Sequence, residues 1–393
     1  MKPGRLSLGL ALLAAGPAVA QTPVRPPSIA ELERAARTDS LDGDALYRLA
    51  LAYDLAKRYD DAERIARQAV AVDPREAQAL LLLAYIPFDR RPRLWEEFRK
   101  DRVPAAWRAA VDEAARLEHR AFLIDPLVDF RVQGAPPPRE DMVTVSDYGQ
   151  ETTDYLLVLG LSAFGWRYQL SYSALDLYAQ RQYKDQPVDS IPSGLFWWRG
   201  LAAAHLSAFG KAIADFQVLL DRSLKQETRD SLIQIDLGTN DFRYLLAVAF
   251  DRANRPADAK RMYQEALAND LGLYMAHVRL ARLYARFKLW GDAIEEARRA
   301  VVANPDDPTA LVDLGEIARD AGRLAEADTT LRQAAAGNPR NPRVPYELGL
   351  VQQQLGRLTE AKETLTRFLA IAPSRMSDEI ADAHARLAHL PAQ

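Results

Sequence analysis

The sequence predicts an all-α fold, an array of stacked helix pairs, and three observations carry that expectation. The first is a period: Leu314, Gly315, Gly322, Leu324, Ala327 and Pro339 recur as Leu348, Gly349, Gly356, Leu358, Ala361 and Pro373, each 34 residues on. The second is spacing. Leu311, Leu314, Gly315 and Ala318 lie three and four residues apart on one helical stripe, and Leu324, Ala327, Leu331 and Ala334 form a matching stripe. The third is punctuation: Gly322 stops the first helix, and Asn338-Pro339 ends the second because proline lacks an amide hydrogen and clashes with the preceding turn. The two stripes face each other, with Gly315 and Ala327 small where the backbones come closest. A single pair cannot bury both stripes, so neighbouring pairs must stack.

This period and these residue types resemble the tetratricopeptide repeat. The resemblance implies a right-handed superhelix, an α-solenoid, that acts as a binding scaffold for proteins or peptides rather than as an enzyme.

The N-terminus, residues 1–20, reads as a secretory signal peptide. Met1 to Arg5 is short and positive, Leu6 to Ala15 is apolar, and Ala18-Val19-Ala20 before Gln21 supplies small residues for cleavage. The expected product is periplasmic, without stable membrane insertion after cleavage. A lipoprotein is not expected, because that route needs a cysteine at the cleavage point and the chain has none. Residues 21–42 read as a proline-containing linker and an N-terminal helix that Ser28 can cap. Residues 43–76 fit the repeat, with Leu46, Leu49, Ala50 and Tyr53 on the first helix and Tyr59, Ala62, Ala66 and Ala69 on the second. Residues 77–126 read as a repeat split by an insertion. Leu83 to Ala114 spans 31 residues where the regular repeat spans 13, which leaves about 18 extra residues that include Arg90, Arg91, Arg93, Trp95 and Phe98.

Residues 127–151 break the helical rhythm. Two strand-like stretches flank Gly134-Ala135-Pro136-Pro137-Pro138, so an irregular loop or a short hairpin is expected. Residues 152–192 read as a degenerate helix pair. In it, Tyr155 to Trp166 is apolar nearly all round but too short to cross a bilayer, so burial between neighbouring helices is expected. Residues 193–239 resemble a repeat and a connector, with Gly200, Ala212 and Phe216 at the small, small and aromatic positions. Ala259, Ala293, Ala327 and Ala361 then mark repeats at 240–273, 274–307, 308–341 and 342–375 in unbroken register. Residues 376–393 end the chain with a capping helix, apolar at Ile380, Ala383, Leu387 and Leu390.

Composition narrows the function. Without Lys2 and Arg5 of the leader the chain carries 49 basic and 54 acidic side chains, a balance that gives no footprint for nucleic acid. The absence of cysteine excludes disulfides, iron–sulfur clusters and thiol nucleophiles. No phosphate loop, paired-histidine metalloprotease helix, nucleophile elbow or calcium loop is present. His119, His205, His277, His384 and His389 are scattered, so no catalytic, cofactor-binding or metal site is expected.

The expected site is the concave face, which in the resembled family is lined by fixed positions of the first helices. By register these positions include Trp197, His205, Tyr244, Arg252, Arg282, Arg286, Arg319, Arg343 and Tyr346. Rings supply contact area and arginine holds carboxylates in bidentate pairs, a combination suited to an extended peptide. No asparagine stands at the ninth position of these helices, which disfavours the lysine–asparagine clamp of the family's chaperone-tail members. The alternative is a polysaccharide- or peptidoglycan-binding accessory, which requires Trp197, Tyr244 and Tyr346 to share one open face.

Overall fold

The computed structural model describes residues 27–100, 102–128, 149–165, 167–225 and 237–390. The signal segment and the hairpin expected within 127–151 fall mainly outside them. Among the described residues the regular structure is helical, and consecutive helices pack as antiparallel pairs. An N-terminal array comprises α1 (Ile29–Thr38), α2 (Gly43–Leu55), α3 (Tyr59–Val72), α4 (Ala77–Arg90), α5 (Arg93–Arg99) and α6 (Ala105–Ile124). Here α2 pairs with α3, and α4 with α6 across the short α5. The second array begins with α7 (Gly149–Ala163), α8 (Tyr168–Gln182), α9 (Ser193–His205) and α10 (Phe209–Leu224). It continues through α11 (Thr239–Arg252), α12 (Pro256–Asn269), α13 (Tyr274–Arg286), α14 (Trp290–Ala303), α15 (Pro308–Asp320), α16 (Leu324–Gly337), α17 (Arg343–Gln354), α18 (Leu358–Ile371) and α19 (Ser377–His389).

One contact recurs in four of the pairs. A Cβ added to Gly315 would come within 2.6 Å of Leu331, and one on Gly349 within 2.7 Å of Leu365. The same clash recurs at Gly160 against Leu175 and at Gly200 against Phe216. A first-helix glycine therefore seats a large second-helix side chain, and this is the physical content of the small residue in the period. The turn between the helices needs a left-handed residue. Gly322 and Gly356 supply it at φ +75°, whereas Asn254 and Lys288 hold the same place at φ +55° and +57°. The turn after many second helices is closed by an Asp or Asn side chain that accepts a backbone N–H two residues on, as at Asp73, Asp125, Asp270 and Asn338.

The apolar segment of α7 is only partly covered. Leu159 and Ala163 are buried, but Val158 is 59% and Leu161 39% exposed, so burial on all sides does not hold. No described helix is long and apolar enough to cross a membrane.

The two arrays close on each other. The edge of the N-terminal array runs from the end of α1, through the turn after α3, to the turn after α6, and it lies against the inner face of the second array. Tyr244 on α11 donates its hydroxyl to the Leu123 carbonyl (2.6 Å), and Arg279 on α13 donates to the Ile124 carbonyl (2.8 Å). Arg252 meets both oxygens of Asp125 at 2.8 Å. Farther along, Arg75 in the turn after α3 reaches Asp307 (2.9 Å) and Asp313 (2.5 Å) of the α15 region. The last links join the turn after α18 to the start of the chain: Ser374 donates to Asp39 (2.8 Å), and Arg375 pairs with Asp42 (3.0 Å). Phe122 and Leu127 enter the main core beside Trp197, Tyr244 and Leu245, while Ile124 and Val128 belong to the N-terminal core, so the turn after α6 joins the two.

Candidate functional site

The contacts just described show that the first helices of the second array turn one face inward, where the register places the candidate residues. What occupies that face differs from an open groove. Tyr244 is fully buried, its ring edge-on to Phe122 at 6.2 Å and its hydroxyl between the Leu123 carbonyl and the Arg279 guanidinium (3.0 Å). Trp197 is also buried, against Phe216. Tyr346 is half-buried, packed on Phe368 at 5.1 Å and bonded to Asp382 at 3.0 Å. The three rings do not form one open face, which corrects the sugar-stacking alternative: two of its three platforms are core. His205 stacks on Tyr168 at 4.2 Å, an aromatic contact within the α7–α9 region.

Arg252, Arg282 and Arg343 stand where the arrays meet, and each of the five predicted arginines lies beside a carboxylate. Arg282 donates to Asp313 at 2.7 Å, and Arg286 donates to Asp251 at 2.7 Å and to Asn254 at 3.4 Å. Arg343 reaches Glu316 at 2.6 Å and Asp313 at 3.3 Å. Arg319 is mostly covered, engaged by Asp320 and Glu347, so it is no free groove cation. Arg252, Arg282 and Arg286 keep exposed guanidinia, with side-chain exposures of 39%, 51% and 48%.

Asp313 is the electrostatic centre of this face. Burial alone would raise its pKa, but the guanidinia of Arg75, Arg282 and Arg343 outweigh burial and hold the carboxyl well below the usual range. Burial likewise opposes the charge on Arg75, and Asp313 and Asp307 more than compensate. Arg279 differs from the others. It donates to the Tyr244 hydroxyl and the Ile124 carbonyl, neutral acceptors both.

Between the arrays these side chains surround a cavity of about 440 Å³, lined from the second array by Arg279, Arg282, Thr309 and Arg343 and from the N-terminal array by Asp73, Arg75 and Ile124. Register reasoning supplied Arg282 and Arg343 but missed Arg75, Arg279 and Thr309. Arg279, Arg282 and Arg286 stand three and four residues apart on α13, so that stripe was readable; Arg75 sits in a turn and carries no such signal.

Comparison with known families agrees with the fold. Models described as tetratricopeptide repeat match residues 44–75, 244–308 and 318–387. The chain is a tetratricopeptide repeat protein. As such it is built as a protein-interaction scaffold. No curated protein matches the chain. Similar solved structures include the C-terminal part of a TPR repeat-containing protein from Cytophaga hutchinsonii, at 13% identity, covering 59% of this chain and 84% of that one, with a TM-score of 0.45. PilW, described as a widely conserved type IV pilus biogenesis factor, is 18% identical over 57% of this chain and 94% of its own, with a TM-score of 0.41. MamA is 18% identical over 44% of this repeat protein and 93% of its own chain, with a TM-score of 0.38. Among the described residues no group of three or more His, Asp or Glu side chains is arranged to hold a metal.

Proposed function

We propose that this repeat protein is an exported, non-catalytic scaffold of the bacterial cell envelope that holds a protein or peptide, rather than nucleic acid, on its inner face. The observation that carries the reading is the pair Arg252 and Arg286. Both are partly exposed, and both are already oriented, Arg252 by Asp125 and Arg286 by Asp251 and Asn254. Guanidinia held in place by neighbours lose little freedom on meeting a carboxylate, which favours acidic segments of a partner. Export rests on the leader pattern of residues 1–20.

The test is affinity capture from envelope extract with the mature chain beside a variant carrying Arg252→Ala and Arg286→Glu. Exposed ion pairs contribute about 0–1 kcal/mol each, so the variant should keep its helical circular dichroism. A partner held by the mature chain and lost from the folded variant is the expected result. Equal retention by both would move binding off this face, and capture of nothing by either would remove the scaffold reading. N-terminal sequencing of protein recovered from the periplasmic fraction should begin at Gln21; an intact Met1 there would overturn export by cleavage.

A further inference from the structure

The cavity between the arrays has the makings of a second site, distinct from the partner-binding rim. It is lined by five arginines drawn from both arrays: Arg75 from the N-terminal one, and Arg279, Arg282, Arg343 and Arg375 from the other. Its volume, about 440 Å³, lies in the range of about 300–1,000 Å³ found for small-molecule sites. Two lining carboxylates, Asp73 and Glu379, oppose an anion there, and Asp73 lies 3.8 Å from Arg375. Four further carboxylates pair with these arginines but do not line the cavity: Asp307 and Asp313, with side chains only 3% exposed, and Glu316 and Asp42, which meet Arg343 at 2.6 Å and Arg375 at 3.0 Å. The surface offered to a ligand is therefore dominated by N–H donors.

Two buried polar atoms on lining residues strengthen the case. Arg75 uses Nε and Nη1 on Asp307 and Asp313, but its Nη2 is buried without a hydrogen-bond partner. Thr309 has its backbone N–H on Asp307, and its Oγ1 is likewise buried and unpartnered. Buried polar groups are nearly always satisfied, because an unmet donor forfeits its hydration without return. One guanidinium donor and one hydroxyl are thus unmet on two residues that line the same arginine-rich cavity, and an oxyanion oxygen is an acceptor that suits both.

We propose that this cavity binds a small multivalent oxyanion, a phosphate ester or a polycarboxylate, which bridges the two arrays. Guanidinium forks match both oxygen geometries, and several around one cavity select for more than one negative charge. Binding also stabilises the closed arrangement, since the ligand is held by residues of both arrays.

The experiment is isothermal titration of the full chain with inorganic pyrophosphate and, separately, with citrate, at fixed ionic strength. Saturable one-to-one binding of at least one of them is expected, and the tighter of the two identifies the source as phosphate or carboxylate. Arg282→Gln and Arg375→Gln should each weaken it about tenfold or more, the loss typical of a charged hydrogen bond. Thr309→Val is the control for folding. It keeps the shape and removes a hydroxyl that has no partner, so the free protein's unfolding temperature should not fall, yet affinity should drop about two- to tenfold. Arg286→Glu, outside the cavity, should bind normally. Failure of both anions to saturate overturns the proposal. Binding that survives Thr309→Val and Arg282→Gln, or that responds to Arg282→Gln alone, places the anion on the outer surface and overturns it equally.

Discussion

Asp54 on α2 is buried and Asp89 on α4 partly so, and each has one buried carboxyl oxygen that lacks a hydrogen-bond partner. Burial pushes Asp54 up to about 7, with the nearby charge of Asp89 adding to it, and burial pushes Asp89 up to about 6. The sign follows from linkage. A folded-state pKa above the unfolded value of 3.8 means that the folded chain binds a proton that the unfolded chain releases. Stability from Asp54 therefore falls as pH rises from about 4 through about 7 and is lowest above that window. Asp54→Asn should raise the thermal midpoint clearly more at pH 8 than at pH 5, because the loss that begins near pH 4 is only partly developed at pH 5 and complete above about 7. Equal shifts at the two pH values would show that charge burial is not the cause. The sequence gives no warning of this pair, since two aspartates 35 residues apart look like any two solvated acids.

At the scale of the element, the helix pair was legible because its determinants are local. Gly315 and Leu331 both sit on apolar stripes that a reader can index, and the structure brings them into contact. The small residue expected opposite Gly315 was Ala327; that alanine is fully buried, but the side chain that fills the glycine's space is Leu331. Spacing identifies which face is inward and not which residue of the facing helix meets it. Gly315→Ala should destabilise by about 1–3 kcal/mol, because Leu331 is fully buried and cannot easily give way. Urea unfolding monitored by circular dichroism would measure it, and a cost near zero would mean that the α15–α16 pair can spread without penalty. Gly315→Ala combined with Leu331→Ala should cost less than the sum of the two single changes, since they share one contact.

The whole molecule is where sequence reasoning stopped short. A repeat period reports only what each unit does to its neighbours, and the closure joins residues more than 230 positions apart, Arg75 to Asp307 and Asp313. Nothing periodic marks them: Arg75 follows Asp73-Pro74 in what reads as a plain turn, and Asp313 falls beside the apolar stripe of α15 like a surface acid. Register places Arg282 and Arg343 where the arrays meet, yet it also places rings such as Tyr244 in a groove that the N-terminal array fills. Arg75 is the residue on which this arrangement can be tested. Breaking a buried ion pair from one side costs about 3–5 kcal/mol, because the partner is left charged and unsolvated. Asp313 retains Arg282 and Arg343, but Asp307 has no other ion pair among the described residues. The helix pairs of each array are held by their own cores, so Arg75→Ala should spare helical content while loosening the docking of the arrays. Small-angle scattering should then show a larger radius of gyration, and hydrogen exchange should rise at Leu123–Asp125 and along the inward faces of α11 and α13. If helicity and radius both stay at their native values, the charge cluster is incidental, and closure rests on the apolar contacts of Phe122 and Leu127 with the second array's core.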